Sequence, residues 1–445
     1  MDSPASYLAS KMKVAINKPG SFLIFWLGQT LSQIGSSLTS FALGVWIYKS
    51  TGAIIELGFV SFLTALPGVM VSPLAGALVD RWNRRFVLIW SDAGAAANTL
   101  IVAILFLSHH LATWNIYLFS VVTSLLGAFQ ILARGAVVAM MVSQQQLIKA
   151  NGLMQLSVGI AQIASPALAG FLLLRIQLTG IILADFATFL TAMMTLSIIQ
   201  IHQENISRNN HQKLSIIDDL SIAWQYLLNQ KGLLFLILFL SVYNFILGSI
   251  SVLVNPLVLS FSNSVFLGNI LSIGGLGMLL GGAAISIGGG NSHRIQSLFV
   301  FSMLSGFALI CSGLKPSIML IAMSAFLFSV SLSIINSISQ TIIQNKATCE
   351  MQGRILALSG TITGISLPLG YLAAGLMADY LFEPLLAEKG LLAKSIGSLI
   401  GVGPGRGVGL LFISAGILMI IATVVAFCYQ PLRCLDDTSM KRDIG

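Results

Sequence analysis

Three ionisable side chains stand well inside long apolar runs of this sequence, away from the last few residues of each: Asp92, Arg134 and Asp185. A charge in such a run is costly in hydrocarbon, so each is a candidate functional group by default. Asp92 and Asp185 are the candidates to carry a coupling proton, with Arg134 tuning Asp92 by its charge. Asp92, near the start of its run, and Arg134, near the end of the next, both stand about two helical turns from the same membrane face, so a plain structural ion pair is the alternative reading. Glu56 lies at an interface. Recognition is the other available chemistry. Gln29, Ser32, Gln33, Ser36 and Ser40 recur along one face of a helix. Ser120, Thr123, Ser124, Gly127 and Arg134 form a second stripe, and Ser241, Asn244, Ser251 and Asn255 a third. A fourth contains Ser329, Ser333, Asn336, Ser337, Gln340 and Gln344. Amides and hydroxyls so placed, with Tyr243, Phe245 and Phe328 nearby, suit a bulky and mostly neutral ligand. The competing reading is that such stripes hydrogen-bond helix to helix.

The elements that position these groups follow from composition. Hydrophobic residues make up 56% of the 445 and charged residues 9%, with a mean hydropathy of +0.91. A soluble domain hydrates its surface with roughly 25% charged residues, so this chain is an integral membrane protein. Runs long enough to cross hydrocarbon fall at 21–48, 54–79, 86–108, 114–138, 152–176 and 178–200. Six more fall at 232–255, 264–288, 296–314, 316–343, 355–380 and 408–429. The expected fold is all-α: twelve transmembrane helices in two pseudo-symmetric six-helix bundles, 1–200 and 232–430. A cytoplasmic linker, 201–231, joins them, and a tail, 431–445, follows.

The four polar stripes lie on spans one, four, seven and ten, an interval of three that suggests nested three-helix repeats around a wet axis. Span eleven adds Ser359, Thr363 and Ser366. Of the 23 Lys and Arg, 17 fall on the side of the N-terminus, which places both termini in the cytoplasm. The first span is too long, and too far from the start, for a cleavable signal core. In the linker, Leu214 to Asn229 reads as an interfacial amphipathic helix or as a simple tether.

Several functions are excluded. The basic residues sit in short loops and form no patch for nucleic acid. Cys311, Cys349, Cys428 and Cys434 have neither metal-ligand nor disulfide spacing, so no metal is expected. There is no phosphate-binding loop of the GxxxxGK[ST] type, and no cofactor is implied. All five His fall in loops, without the nucleophile-and-base cluster that a membrane enzyme needs.

The loop after the second span reads Gly76-Ala-Leu-Val-Asp80-Arg81-Trp-Asn-Arg84-Arg85. It resembles the G-x-L-x-D-R-x-x-R-R signature of the major facilitator superfamily. The resemblance implies a gate: Gly76 permits close helix approach, while Asp80, Arg81, Arg84 and Arg85 lock one side through charge pairing and helix-end contacts. Gln29-Thr-Leu-Ser-Gln-Ile-Gly35, Ala133-Arg134 and Gln146-Leu-Ile-Lys149-Ala-Asn151-Gly152 are similar to the macrolide-efflux and enterobactin-exporter-like branch. So are Gln352-Gly353-Arg354 and Gly403-Pro-Gly-Arg406-Gly407, and the likeness runs over about 20–430. Ser165-Pro166-Ala-Leu-Ala-Gly170 partly resembles the antiporter motif of the fifth helix. Ser366-Leu-Pro368-Leu-Gly370 matches it in the second half, and both prolines are expected to bend their helices.

The resemblance implies a monomeric exporter in the bacterial inner membrane. It would move a macrolide-like drug, a siderophore or another amphipathic small molecule by alternating access, in exchange for protons, with Na⁺ as the other possible coupling ion. The substrate path would be lined by Gln29, Gln33, Ser36, Thr123, Ser124, Tyr243, Asn244, Asn336 and Gln340. A lipid or lysolipid flippase on the same scaffold is the alternative.

Overall fold

A computed structural model describes residues 19–142, 144–198, 224–288, 294–346 and 352–433. Among these, twelve long helices follow one another without a strand. They are α1 (Pro19–Thr51), α2 (Ile54–Arg81), α3 (Arg84–Leu107), α4 (Thr113–Met141), α5 (Gln144–Arg175) and α6 (Gln177–Ile198). After the linker come α7 (Lys231–Leu259), α8 (Ser264–Gly288), α9 (Arg294–Leu314), α10 (Ile318–Lys346), α11 (Gln352–Met377) and α12 (Arg406–Cys428). Eleven helices among the described residues are long and apolar enough to cross a membrane. The twelfth, α1, has the length at 33 residues, but Gln29, Ser32, Gln33, Ser36 and Ser40 dilute its apolar run. The expected helix at 214–229 lies outside the described residues except for 224–229, which are helical.

Residue placement is inverted relative to a soluble fold. Gln29, Ser32, Asp92 and Asp185 are buried, whereas Met70, Ile131 and Met319 are exposed. Lipid solvates apolar side chains, and polar groups turn inward to find partners. The helices extend past their apolar runs where polar residues continue the helical hydrogen bonding, as Gln144 to Gly152 do in α5. The boundary between α5 and α6 falls at Ile176, followed by Gln177 at a positive φ of 55°. Between α9 and α10 the break holds Pro316, which has no N–H to continue a helix.

Two compact units divide the chain. The first comprises residues 1–43 and 63–209, and the second 44–62 and 210–445. The ends of α1 and α2 that flank Gly52 therefore pack with the second unit. Within the first, α3 lies against α4 and α6. An apolar cluster of Phe22, Phe25, Val79, Leu88, Val137, Met141 and Leu196 ties together one end of the unit. Within the second, α7 packs on α11, α8 on α10, and α9 on both α10 and α12.

The prolines named in the sequence occupy equivalent places. Pro166 lies inside α5 and Pro368 inside α11, and both helices continue through them. Next to Pro166, buried Ser165 donates to the Ile34 carbonyl of α1 at 3.3 Å. Next to Pro368, α11 meets α7 almost backbone to backbone. A Cβ on Gly370 would lie 3.0 Å from Ser249 N, and one on Gly248 would lie 3.1 Å from the Leu367 carbonyl carbon. Ser249 Oγ donates to the Gly370 carbonyl at 3.2 Å across this joint. In each unit the joint beside the proline thus carries a serine hydroxyl that donates to a carbonyl of the partner helix.

Candidate functional site

The polar stripe of α1 organises the interior of the first unit. Asp92 of α3 is 0% exposed, and both its oxygens are taken by amides. Gln29 Nε2 donates to Oδ2 at 3.3 Å, and Gln130 Nε2 of α4 donates a short hydrogen bond to Oδ1. The positive charge of Arg134 acts on Asp92 through space, but its Nη1 donates to Gln33 Oε1 at 3.4 Å instead. Among the described residues Asp92 and Arg134 thus make no direct hydrogen bond, and each is held by a different amide of α1. Gln29 and Gln33 stand one turn apart, so α1 touches the acid with one amide and the base with the next. Among the described residues, Gln29 Oε1 and Arg134 Nε are buried without a protein partner.

Two turns further along the stripe, α1 meets the second acid. Asp185 of α6 is 2% exposed and accepts from Ser36 Oγ at 3.4 Å. Helix α1 comes this close because position 35 is glycine: a Cβ there would lie 2.8 Å from Asp185 Oδ1 and 3.1 Å from its Cα. One face of one helix thus contacts all three membrane-embedded ionisable groups named from the sequence. Gln130 was missed there, although it precedes Arg134 by one turn on the same face.

Other named positions are divided between contact and exposure. Ser124 is buried and accepts the Gly68 N–H of α2 at 2.8 Å, and Thr123 accepts from Asn98 of α3 at 2.8 Å. These two join helices within the first unit. In the second unit Tyr243 is 2% exposed and stacks on Phe328 at 6.0 Å. Asn244 donates back to the Leu240 carbonyl of its own helix at 2.9 Å. Asn336 and Gln340 lie exposed on α10. Of these named positions, Thr123 and Ser124 bond between helices, whereas the amides of Asn336 and Gln340 are exposed.

The loop between α2 and α3 has a local logic of its own. Asn83 caps α3, its Oδ1 accepting Phe86 N–H at 3.2 Å, which is why an Asn serves there. Arg85 Nη2 donates to the Leu196 and Ser197 carbonyls at 2.8 and 3.1 Å. Those carbonyls belong to the last turn of α6, where a helix lacks internal donors and a cation is favoured. Among the described residues, a Cβ on Gly76 would meet only Leu132, at an ordinary 4.0 Å. The tight approach of α2 to α4 lies instead at Gly68, whose Cβ would be 2.8 Å from the Ser124 carbonyl. The side chains of Asp80 and Arg81 lie outside the described residues.

The family model described as Major Facilitator Superfamily matches residues 25–371. The chain belongs to the Major Facilitator Superfamily. It resembles Macrolide efflux protein A of Streptococcus pyogenes, with 27% identity over 362 residues, 80% of this chain and 89% of that protein. The protein of the same name from Enterococcus faecalis is 27% identical over 314 residues, 70% of this chain and 97% of that one. A shorter match, 34% over 116 residues, is to the class B Tetracycline resistance protein of Escherichia coli, covering 26% of this chain and 27% of that one. Among solved structures, a bacterial homolog to the human lysosomal transporter Spinster aligns with a TM-score of 0.71 at 14% identity, covering 95% and 98% of the two chains. The nucleoside transporter NupG aligns at 0.65 and 15%, covering 92% and 100%. These structural likenesses show the twelve-helix fold of the superfamily. The chain is a multi-pass membrane transporter and not an enzyme.

Proposed function

We propose that this transporter exports a bulky, mostly neutral amphipathic compound across the bacterial plasma membrane, in exchange for protons. A macrolide-like drug is the first substrate to test and a siderophore the second. The substrate class rests on the efflux proteins that the chain resembles over most of its length. The observation that carries the coupling is the meeting of Asp92 and Asp185 with one face of α1. A carboxyl buried in a membrane transporter is suited to carry a proton, and both acids here are bonded to a helix that also presents polar side chains to a ligand. Substrate and proton are then coupled by rearranging shared hydrogen bonds: a ligand that recruits Gln29 or Gln33 withdraws an amide from Asp92 or Arg134.

In this account Gln29, Gln33, Ser36, Thr123 and Ser124 contribute to the path from the first unit. Tyr243, Asn244, Asn336 and Gln340 contribute from the second. Transport proceeds by alternating access, with both termini in the cytoplasm. Asp80, Arg81, Arg84 and Arg85 close the cytoplasmic side, and Arg85 does so by holding α3 to the end of α6. The protein works as a monomer.

The test is accumulation of a radiolabelled macrolide in a bacterial strain stripped of its own efflux pumps. Expression of the protein is expected to lower accumulation, and a protonophore to restore it. Macrolide and siderophore accumulation that expression leaves unchanged, beside measurable flipping of a labelled lysolipid, would replace the reading with that of a lipid transporter.

A further inference from the structure

Asp379 and Glu383 stand one turn apart on the π-helical turn Ala378–Phe382 and the short helix Glu383–Leu386, which continue α11. Each carboxylate caps a different helix. Asp379 Oδ2 accepts the backbone N–H of Ile55 at 2.7 Å, in the first turn of α2. Glu383 Oε1 accepts that of Val408 at 3.1 Å, in the first turn of α12. A carboxylate at such a place satisfies donors that have no partner inside the helix and opposes the positive end of its dipole. Tyr48, near the end of α1, lies in the field of both acids, and Arg406 in that of Glu383. Beneath the caps, α2 and α11 touch through their backbones. A Cβ on Gly375 would lie 2.7 Å from Ile55 Cα, and one on Gly58 would lie 2.6 Å from the Tyr371 carbonyl.

These contacts all lie within the second unit, to which residues 44–62 belong, while the rest of α1 and α2 belongs to the first. Two helices are therefore shared. When a transporter of this kind moves one unit against the other, either both shared helices bend or the start of α2 leaves the second unit. We propose that Asp379 is a positioning residue for transport: a latch that holds the start of α2 to the second unit in one conformation and lets go in the other. A single carboxylate on a helix end suits this role, because the hydrogen bond it makes is replaced by water when the ends part. The backbone contact at Gly58 and Gly375 supplies the shape, and the cap supplies the hold. The proposal rests on the reading of the chain as an alternating-access transporter, but its readout needs neither substrate nor coupling ion. Failure of the export assay and failure of the latch are thus separate results.

The experiment measures the labelling rate of single introduced cysteines by a membrane-impermeant maleimide, in the full-length protein in cell membranes. Cys311, Cys349, Cys428 and Cys434 are first replaced by Ser. One reporter is Asn255→Cys, which lies under α1, since a Cβ on Gly44 would be 3.7 Å from Asn255 Nδ2. The other is Gln340→Cys, toward the opposite end of α10, whose last carbonyl at Lys346 accepts from Tyr226 ahead of α7. Asp379→Ala is expected to raise labelling at position 255 about fivefold and to lower it at position 340, a shift of the size a lost helix cap produces. Asp379→Asn keeps an oxygen for the Ile55 N–H and is expected to stay within about twofold of the parent. General loosening would raise both reporters together and would count against the latch. Gly375→Val, which pushes on Ile55 without altering the carboxylate, is expected to change both reporters in the same directions as Asp379→Ala. Unchanged labelling at both reporters in Asp379→Ala would overturn the proposal, showing that α1 and α2 bend with the cap intact. If Asp379→Ala fails to reach the membrane, unchanged labelling in Gly375→Val overturns it equally.

Discussion

Replacing Gly370 by alanine adds one methyl group to the joint between α7 and α11. That methyl would sit 3.0 Å from both the Phe245 carbonyl carbon and Ser249 N, and closer still to Phe245 O. All three are backbone atoms of a regular helix, so no rotamer change relieves them. Ordinary carbon contacts of about 3.5 Å or more require the helices to part by roughly 1 Å. Overpacking of this kind costs about 1–3 kcal/mol. The parting also stretches the 3.2 Å bond from Ser249 Oγ to the Gly370 carbonyl, worth about 1 kcal/mol more. A control exists on the same scaffold: a Cβ on Gly135 meets nothing within 4 Å. Gly135→Ala should gain about 0.5–1 kcal/mol, from the lower conformational freedom of its unfolded chain. Thermal unfolding of purified protein in detergent, followed by the monodisperse fraction after heating, reads both variants. Gly370→Ala should melt several degrees below the parent and Gly135→Ala at or above it. Equal melting of the two would refute the backbone contact between α7 and α11.

Other perturbations address the site. Gln130→Leu removes the amide from Asp92 Oδ1 at nearly constant volume, and a hydrogen bond to a charged group is worth about 1.5–3 kcal/mol; export rate in vesicles should fall at least about tenfold, with protein level unchanged. Asp92→Asn should abolish proton movement while leaving substrate binding, measured by tryptophan fluorescence, within a few-fold of the parent; proton movement that is unchanged would remove Asp92 from the coupling. Arg85→Leu leaves two carbonyls of the last turn of α6 without their donor. It should lower thermal stability by about 1–3 kcal/mol, an effect that Arg85→Lys partly restores.

The sequence made the membrane class and the twelve helices legible, because hydrocarbon imposes a length and a polarity that any apolar run displays. It also displayed the α1 stripe, since residues one turn apart share a face whatever the helix packs on. What Gln29, Gln33 and Ser36 touch was not legible, because partners on α3, α4 and α6 are chosen by packing between distant segments. Whether Asp92 and Arg134 pair directly was open for that reason, and in the fold each takes its own amide of α1. Asp379 stands in the last turn of the eleventh apolar run and Glu383 beyond it, where an acid reads as an ordinary interfacial charge. Their role depends on where α2 and α12 begin, and only the folded chain brings those helix ends together. The tight glycine contact of α2 with α4 lies at Gly68, two turns before the motif glycine Gly76. At Gly68 the α4 partner is small Ser124, whose carbonyl and hydroxyl the backbone meets directly.

Proton exchange in inverted membrane vesicles tests the central claim most directly. A pH gradient is imposed, and macrolides, catechol and hydroxamate siderophores and a lysolipid are added in turn. The account predicts that one macrolide or siderophore collapses the gradient in vesicles containing the protein, and that Asp92→Asn abolishes the collapse. Movement of that labelled compound with the gradient undisturbed would contradict coupling to protons, and sodium-driven or facilitated passage would take its place.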